Sequence, residues 1–465
     1  MNTWLTLCPP LLAITLAIVT RQAYLSIFSG ILAGTILLNG SLFVGVTQSF
    51  DAIATTFTSI SAVKSLIFIT MIAAIINVLQ QSGAIQKAIY SLTVQRNIVN
   101  SKRSAQLLTF LTGFLMCLEG IGSMMIVGLV GRPLFAKHNV SKAKLALVAN
   151  STGSPLAWLL PISGAGVFLS SLLAIQIENG VLTGKPMDYV FSAVSYQYYT
   201  ILVLASVPFL AICQHDFKSG PHDVDQKNVD HKNVAQGTEP QSAEPQNHTS
   251  IAVLMLPLIL LLGSIIVITL VTGDGNPAQG NVGDAIYWSG FISLFGSALA
   301  YQVAGIAFSQ YMNWVLDGFK QILPAVIILV LAFTLSNIIG QLGTGTYLAG
   351  LVSEQFSLWV VPSVVFIIGM LISFSTGSSG ATVSILIPIG ISMAVNMGIP
   401  VPMMIGAVIS GAVFGDQSSP ISDSIIVASS AADCEPELHF RTQLPFTLLF
   451  ATLSVIGYLI IGTTV

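Results

Sequence analysis

The sequence predicts an all-α protein that crosses a membrane several times. Only 8% of its 465 residues are Asp, Glu, Lys or Arg, whereas 54% are hydrophobic and the mean hydropathy is +0.84. A soluble protein is about 25% charged, so this chain has too few polar side chains to cover a water-exposed surface. Its apolar runs are near the ~20 residues that span a bilayer as a helix. They lie at 4–20, 24–46, 65–82, 197–213, 252–271, 285–303, 321–340 and 444–462.

The composition also excludes several classes of function. The chain has 16 basic and 19 acidic residues and a net charge of −3, which excludes a nucleic-acid-binding protein. It contains no Gly-x-Ser-x-Gly, no His-Glu-x-x-His and no Walker loop, so we predict neither enzyme activity nor a cofactor. Because the chain is so apolar, we predict that its main partner is the lipid bilayer.

A polar segment at 214–250 divides the chain. It holds four of the six histidines and three prolines, a composition that cannot bury a core. We predict an N-terminal membrane repeat at 1–213, a cytoplasmic linker at 214–250 and a C-terminal membrane repeat at 251–465. A histidine metal site within the linker is the alternative.

The two halves repeat one order of features. Asn77 recurs 260 positions later as Asn337, and at the same spacing Gln81 recurs as Gln341. Each half contains three spans, a Gly/Ser-interrupted hairpin, a broken span and a last span. An odd number of crossings in each half predicts inverted repeats, in which transport sites form where helices break near the midplane.

The charges around residues 105–131 predict a re-entrant hairpin rather than one long span. Lys102 and Arg103 precede this segment, and Arg132 and Lys137 follow it. Lys and Arg flank membrane segments on the cytoplasmic side, whereas a single crossing would put one of these clusters outside. A hairpin keeps both clusters inside.

The limbs of this hairpin are too short to cross. Each one, 105–118 and 122–135, is about 21 Å of helix, against a hydrocarbon core about 30 Å thick. A second hairpin, with limbs at 362–374 and 381–396, would enter from the opposite side. This topology predicts a multi-pass protein of the cytoplasmic (inner) membrane with its N- and C-termini outside.

Four polar interruptions within apolar sequence are the candidate binding regions, two in each half. Broken backbone at membrane depth survives only where protein or a water-filled cavity surrounds it, and its oxygens suit Na⁺ or a small polar solute. The alternative is close packing of Gly and Ser, with hydroxyls bonded to their own helix. The candidates are Glu119, Ser123, Asn150, Ser151, Thr152, Ser154, Ser375, Thr376, Ser378, Ser379, Asp416, Ser418, Ser419 and Asp423.

Three of these candidates are carboxylates: Glu119, Asp416 and Asp423. A charge at membrane depth costs at least about 2.5–3.5 kcal/mol, and no Lys or Arg lies near them in sequence. Burial favours the protonated carboxyl, whereas bound Na⁺ favours the ionised form. One such group therefore holds a proton or Na⁺ but not both, and we predict Asp416 and Asp423 as Na⁺ ligands. The alternatives are that Asp416 or Asp423 caps the N-terminus of a half-helix and that Glu119 meets a substrate amine.

Residues 411–423, Gly-Ala-Val-Phe-Gly-Asp-Gln-Ser-Ser-Pro-Ile-Ser-Asp, resemble the FGD-x-x-SP-x-SD signature of the NhaC-type Na⁺/H⁺ antiporter family. Residues 442–445 resemble the short motif that follows it there. The resemblance implies an ion-transporter-type fold with a scaffold and an elevator-like transport domain, and a homodimer. It also implies that Na⁺ and H⁺ are translocated, with Asp416 and Asp423 at matching positions.

Two functions follow from these observations. The first is a secondary Na⁺/H⁺ antiporter in which Asp416 is the shared ligand. The second is a Na⁺-coupled transporter of an amino acid or small carboxylate. In the second, residues 150–154 and 375–379 hold the solute while Asp416 holds Na⁺.

Overall fold

The computed structural model describes residues 4–20, 22–83, 99–115, 120–213, 255–275, 280–355 and 357–463. Within these ranges all regular structure is helical. Six helices are long and apolar enough to cross a membrane, or seven if the bent pair within 186–212 is counted as one span. The protein is thus an all-α, multi-pass membrane protein, as predicted. The linker at 214–250 lies outside the described residues.

Eleven helices precede the linker in the described part of the chain. They are α1 (Cys8–Thr20), α2 (Ala23–Asn39), α3 (Leu42–Thr56), α4 (Ile60–Gln81), α5 (Lys102–Leu115), α6 (Gly120–Lys137), α7 (Lys142–Thr152), α8 (Ser154–Leu159), α9 (Gly164–Glu178), α10 (Pro186–Val194) and α11 (Tyr198–Ile212).

Nine helices follow it within the described ranges. They are α12 (Leu256–Thr272), α13 (Val282–Val303), α14 (Phe308–Leu342), α15 (Thr344–Gln355), α16 (Val361–Thr376), α17 (Ser379–Met397), α18 (Val401–Ser418), α19 (Asp423–Ala432) and α20 (Pro436–Gly462).

The single span predicted at 24–46 is wrong. Gly40, at φ +63°, ends α2 in the left-handed conformation, and its N–H bonds to Ile36 O at 2.9 Å. The chain then turns back into α3, where the Thr35 hydroxyl donates to Gly45 O at 2.8 Å. Only Asn39 and Ser41 flank Gly40 before the apolar residues resume on both sides, so a hydropathy average reads the two helices as one run.

Both predicted hairpins are confirmed as helix pairs. The first consists of α5 and α6, whose connection at 116–119 lies outside the described residues, and the second consists of α16 and α17. Gly377 ends α16 at φ +68°, and a Cβ on it would lie 3.0 Å from Ser422 Cα. The second tip is therefore pressed against the break between α18 and α19.

Both predicted broken helices are also present. Gly153 separates α7 from α8, and a four-residue turn separates α18 from α19. The long helix α14 packs along α4 and α2, whereas α16 packs along α18, and α19 packs on α6 and α7. The hairpins and broken helices therefore form one group beside the α2–α4–α14 group. The inverted relation between the halves stays a prediction.

Candidate ion-binding site

Asp416 is the centre of the candidate site. It lies in the last turn of α18, and only 5% of its surface is exposed. Its Oδ2 accepts hydrogen bonds from the hydroxyls of Ser154 at 2.7 Å and Ser379 at 2.8 Å. Its Oδ1 accepts one from the Ser422 hydroxyl at 2.6 Å. We call Asp416 and these three serines the serine cluster.

The three serines come from the first turns of three different helices. Ser154 begins α8, Ser379 begins α17, and Ser422 is the N-cap of α19, where its Oγ also accepts from Ser424 N–H at 3.0 Å. The N-terminus of a helix is the positive end of its dipole. The ends of α17 and α19 therefore stabilise the Asp416 carboxylate in place of a basic side chain.

No ion pair among the described residues includes Asp416. The four that are present join other acids to Lys64, Lys142, Lys320 and Arg441. The described residues also contain no group of three His, Cys, Asp or Glu side chains that could hold a metal ion. The donors are one carboxylate and neutral hydroxyl oxygens, a hard set that suits a small cation better than a thiophilic metal.

Among the described residues, no hydrogen bond joins the Asp423 side chain to the serine cluster. It is the first residue of α19 and is exposed, and the hydroxyl that reaches Asp416 is that of its neighbour Ser422. An acid in the first turn of a helix is favoured by the dipole. The N-cap of α19 is Ser422, so Asp423 is not the cap that the alternative predicted, although it lies in the first turn. The role of Asp423 as a Na⁺ ligand stays a prediction.

The other predicted residues of the second hairpin tip bond to nearby backbone. The Ser375 hydroxyl donates to Leu371 O at 2.8 Å, and that of Thr376 to Ser373 O at 3.4 Å. Ser378 caps α17, where its Oγ accepts from Ala381 N–H at 3.3 Å. Of the predicted tip residues, only Ser379 bonds to Asp416.

The first hairpin contacts the broken helix of the same half, at the break between α7 and α8. The Ser123 hydroxyl in α6 donates to Thr152 O at 3.3 Å, beside the break at Gly153, and the Thr152 hydroxyl donates to Val148 O at 2.7 Å. Both hydroxyls thus donate to backbone carbonyls, and the role of these two residues in binding stays a prediction. Glu119, predicted at this tip, lies outside the described residues.

The hydroxyls of Ser418 and Ser419 are not among the described groups that donate to the Asp416 carboxylate. Ser418 is buried at the end of α18, and the Ser419 hydroxyl accepts from Ile421 N–H at 3.4 Å in the turn that follows. These two serines therefore help to shape the break, while Ser422 supplies the hydroxyl that reaches Asp416.

A second polar group, the amide cluster, lies directly behind Asp416. Asn150 Nδ2 is 3.3 Å from Gln443 Oε1 and 3.2 Å from His439 Nε2. Gln443 Nε2 donates to Gln417 O at 2.7 Å. The Gln417 side chain accepts from Tyr199 OH at 2.8 Å and donates to Ser151 Oγ at 3.2 Å. The members, all buried, are Asn150, Ser151, Tyr199, Gln417, His439 and Gln443.

Sequence reasoning identified only part of these two clusters. It did not select Ser422 or Gln443, although both lie in the segments that resemble family motifs. It also missed Trp158, whose Nε1–H donates to Ser379 Oγ at 3.0 Å. Tyr199 and His439 lie outside the segments that resemble family motifs, and only the fold brings them to Gln417 and Asn150.

Comparisons with known proteins agree with this architecture. An uncharacterized protein of Haemophilus influenzae is 28% identical over 476 aligned residues, which cover 98% of this chain and 90% of that one. The malate-2H⁺/Na⁺-lactate antiporter of Bacillus subtilis is 31% identical over 180 residues, which are 37% of each chain. The crystal structure of the Alcanivorax borkumensis YdaH transporter has a TM-score of 0.61 at 16% identity, covering 90% of this chain and 88% of that one.

The YdaH likeness concerns the fold alone, because the sequence identity is low. The sequence profile of the Na⁺/H⁺ antiporter family matches residues 174–463. This range contains Asp416, Ser379 and Ser422, and it extends through α20. The chain belongs to the Na⁺/H⁺ antiporter family.

Proposed function

We propose that this protein is a secondary antiporter that exchanges Na⁺ for H⁺ across the cytoplasmic membrane, with Asp416 as the group that holds either ion. The observation that carries the proposal is the serine cluster. It is a buried carboxylate with three hydroxyl donors and, among the described residues, no Lys or Arg paired with it. A mobile cation is the natural partner of such a group.

Serine hydroxyls suit this exchange because they can either donate a hydrogen bond to the carboxylate or ligate Na⁺. A serine hydroxyl has one proton to donate and two lone pairs to offer. In the ion-free carboxylate the three protons point at Asp416; when Na⁺ enters, the same oxygens rotate to ligate it. A proton on Asp416 removes the negative charge that Na⁺ requires. Proton and Na⁺ therefore exclude one another at a single carboxylate.

Reconstituted protein tests the proposal. Proteoliposomes with a trapped pH indicator and external ²²Na⁺ report both ions together. We expect Asp416→Asn to keep the fold, because an amide can retain much of the hydrogen bonding, and to abolish Na⁺-driven proton movement. Asp317→Asn is the matched control, since Asp317 is exposed and paired with Lys320 within α14. Exchange at the wild-type rate in Asp416→Asn would refute the assignment.

Na⁺-coupled exchange of a small carboxylate or an amino acid is the second candidate. It is favoured by a cavity of about 1080 Å³ between α4, α9–α10 and α12–α13, whose lining includes Lys185, Asp188 and the Lys64–Asp284 ion pair. Organic ligands occupy pockets of about this size, whereas Na⁺ needs no such volume. The similarity to the B. subtilis antiporter named for malate and lactate also supports it. Proton movement that stays silent with Na⁺ alone and begins when malate, lactate or an amino acid is added would select this function.

A further inference from the structure

A smaller cavity of about 480 Å³ lies away from the serine cluster. It is bounded by the C-terminal end of α4 and by α6 and α19. It thus separates the α2–α4–α14 group from the group of hairpins and broken helices. By the predicted topology, this is the cytoplasmic end of α4.

The walls of this cavity are apolar and open outward. Met125 and Leu129, one turn apart on α6, are 51% and 45% exposed, and Ile426 on α19 is 48% exposed. A path for Na⁺ or a carboxylate would need polar walls at this depth. Contiguous exposed apolar side chains instead mark a surface that binds apolar groups.

One end of the cavity is polar. Arg132 lies about 10 Å beyond Met125 along α6 and is the only charged side chain among the described residues that line the cavity. Its Nε donates to Ala431 O at 2.7 Å, and its Nη2 donates to Ser430 O. These bonds cap the C-terminus of α19.

Capping leaves part of the guanidinium available. Arginine has five N–H donors, of which these two bonds use two. Gln80 and Ser430 are the other polar residues among the described ones that line this cavity. Guanidinium groups bind phosphate in fork geometry, and basic pockets between helices at the cytoplasmic surface bind anionic lipid headgroups.

We propose that this cavity is a binding site for one anionic phospholipid. Its phosphate contacts Arg132, and an acyl chain lies along Met125, Leu129 and Ile426. Along α6 the apolar residues Met125 and Leu129 come before the cationic Arg132. An acyl chain can therefore lie on the apolar wall while the headgroup of the same lipid reaches the arginine. A soluble phosphate ester would satisfy Arg132 but would leave the apolar wall uncovered.

Delipidated protein in detergent tests the site. Native mass spectrometry counts bound lipid, and thermal unfolding measures stabilisation, with dioleoyl-phosphatidylglycerol, dioleoyl-phosphatidylcholine and glycerol 3-phosphate as separate ligands. We expect one phosphatidylglycerol to be retained and to raise the unfolding midpoint, with a clearly smaller effect of the other two. Equal effects of the two lipids would overturn headgroup recognition, and an equal effect of glycerol 3-phosphate would overturn the lipid assignment.

Variants locate the site. We expect Arg132→Gln to weaken phosphatidylglycerol binding at least fivefold, whereas Lys137→Gln, a control on the last turn of α6 outside the cavity, leaves it unchanged. Because Arg132 also caps α19, Leu129→Ser provides an independent variant that keeps the cap and loses acyl contact, and it should weaken binding as well. Wild-type retention of the lipid in both Arg132→Gln and Leu129→Ser would overturn the proposal. None of these readouts depends on ion exchange.

Discussion

The serine cluster and the amide cluster are neighbours of opposite character. Asp416 and Gln417 are adjacent in sequence, yet three serine hydroxyls donate to the Asp416 carboxylate. The Gln417 side-chain amide instead lies between the Tyr199 phenol and the Ser151 hydroxyl, and the Gln443 amide donates to its backbone oxygen. Hydroxyls rotate and can replace one partner by another, whereas an amide presents fixed donors and acceptors. The comparison indicates that one cluster is built for an exchangeable partner and the other for permanent ones.

The amide cluster joins three helices to the end of α18. Asn150 is on α7, Tyr199 on α11, and His439 and Gln443 on α20. Because all are buried, each lost hydrogen bond leaves a polar group without water to replace its partner. The cluster thereby holds the last turn of α18 in place, and with it the direction in which Asp416 points.

The largest effect should come from breaking the amide cluster. Asn150→Ala leaves His439 Nε2 and Gln443 Oε1 without the Asn150 amide, and each buried group left unpaired costs about 1–3 kcal/mol. We expect a markedly lower thermal unfolding midpoint in detergent. The control is Asn396→Ala, because Asn396 is exposed and bonds to Thr346 and to Ser392 O on a helix surface.

The same variant also tests whether Asn150 belongs to the ion-binding site. An Asn150→Ala protein of normal stability but with a strongly weakened response to Na⁺ would place Asn150 among the ion ligands. The distinction between an exchangeable and a permanent cluster would then fail.

The next effect should come from removing one hydroxyl of the serine cluster. Ser379→Ala deletes a hydrogen bond to a charged group, a type of interaction that contributes about 1.5–3 kcal/mol. If that oxygen ligates Na⁺, the Na⁺ concentration at half-maximal exchange should rise roughly tenfold to a hundredfold.

Ser375→Ala is the matched control for that variant. Ser375 lies in the same hairpin tip, but its hydroxyl donates to Leu371 O within its own helix. We therefore expect its Na⁺ dependence to match the wild type. Equal behaviour of the two variants would mean that direct contact with Asp416 does not determine Na⁺ binding.

The contrast between Ser375 and Ser379 also explains how far the sequence could predict the site. Broken helices and buried acids were sufficient to identify Asp416, Ser154 and Ser379. Inside apolar sequence, Gly breaks a helix and Ser and Asp are costly to bury, so their presence there indicates a function. Whether a hydroxyl turns toward the carboxylate or toward its own helix depends on its position in the tip. Spacing alone does not give that position, so the interpretation included Ser375 as well.

The fold was predictable to a similar extent. Lys and Arg on both sides of the α5–α6 pair predicted the first hairpin, since these residues are enriched on the cytoplasmic side of membrane segments. The turn at Gly40 was missed, because the short polar triplet Asn39-Gly40-Ser41 barely lowers the average hydropathy of the run, although Asn-Gly is a turn signal. Tyr199 and His439 were missed for a third reason: their partners are distant in sequence, and only the packing of α11 and α20 brings them to Gln417.

The smallest effect should come from Trp158, which contacts the serine cluster without touching Asp416. Its indole N–H donates to the Ser379 hydroxyl oxygen and so leaves the hydroxyl proton free for Asp416. Trp158→Phe removes a neutral hydrogen bond, which contributes about 0.5–1.5 kcal/mol. That corresponds to a rise of roughly twofold to tenfold in the half-maximal Na⁺ concentration. Trp288→Phe, at a residue 53% exposed on α13, controls for the loss of an indole. An effect of Trp158→Phe as large as that of Ser379→Ala would mean that the orientation of the hydroxyl, more than its presence, determines Na⁺ binding.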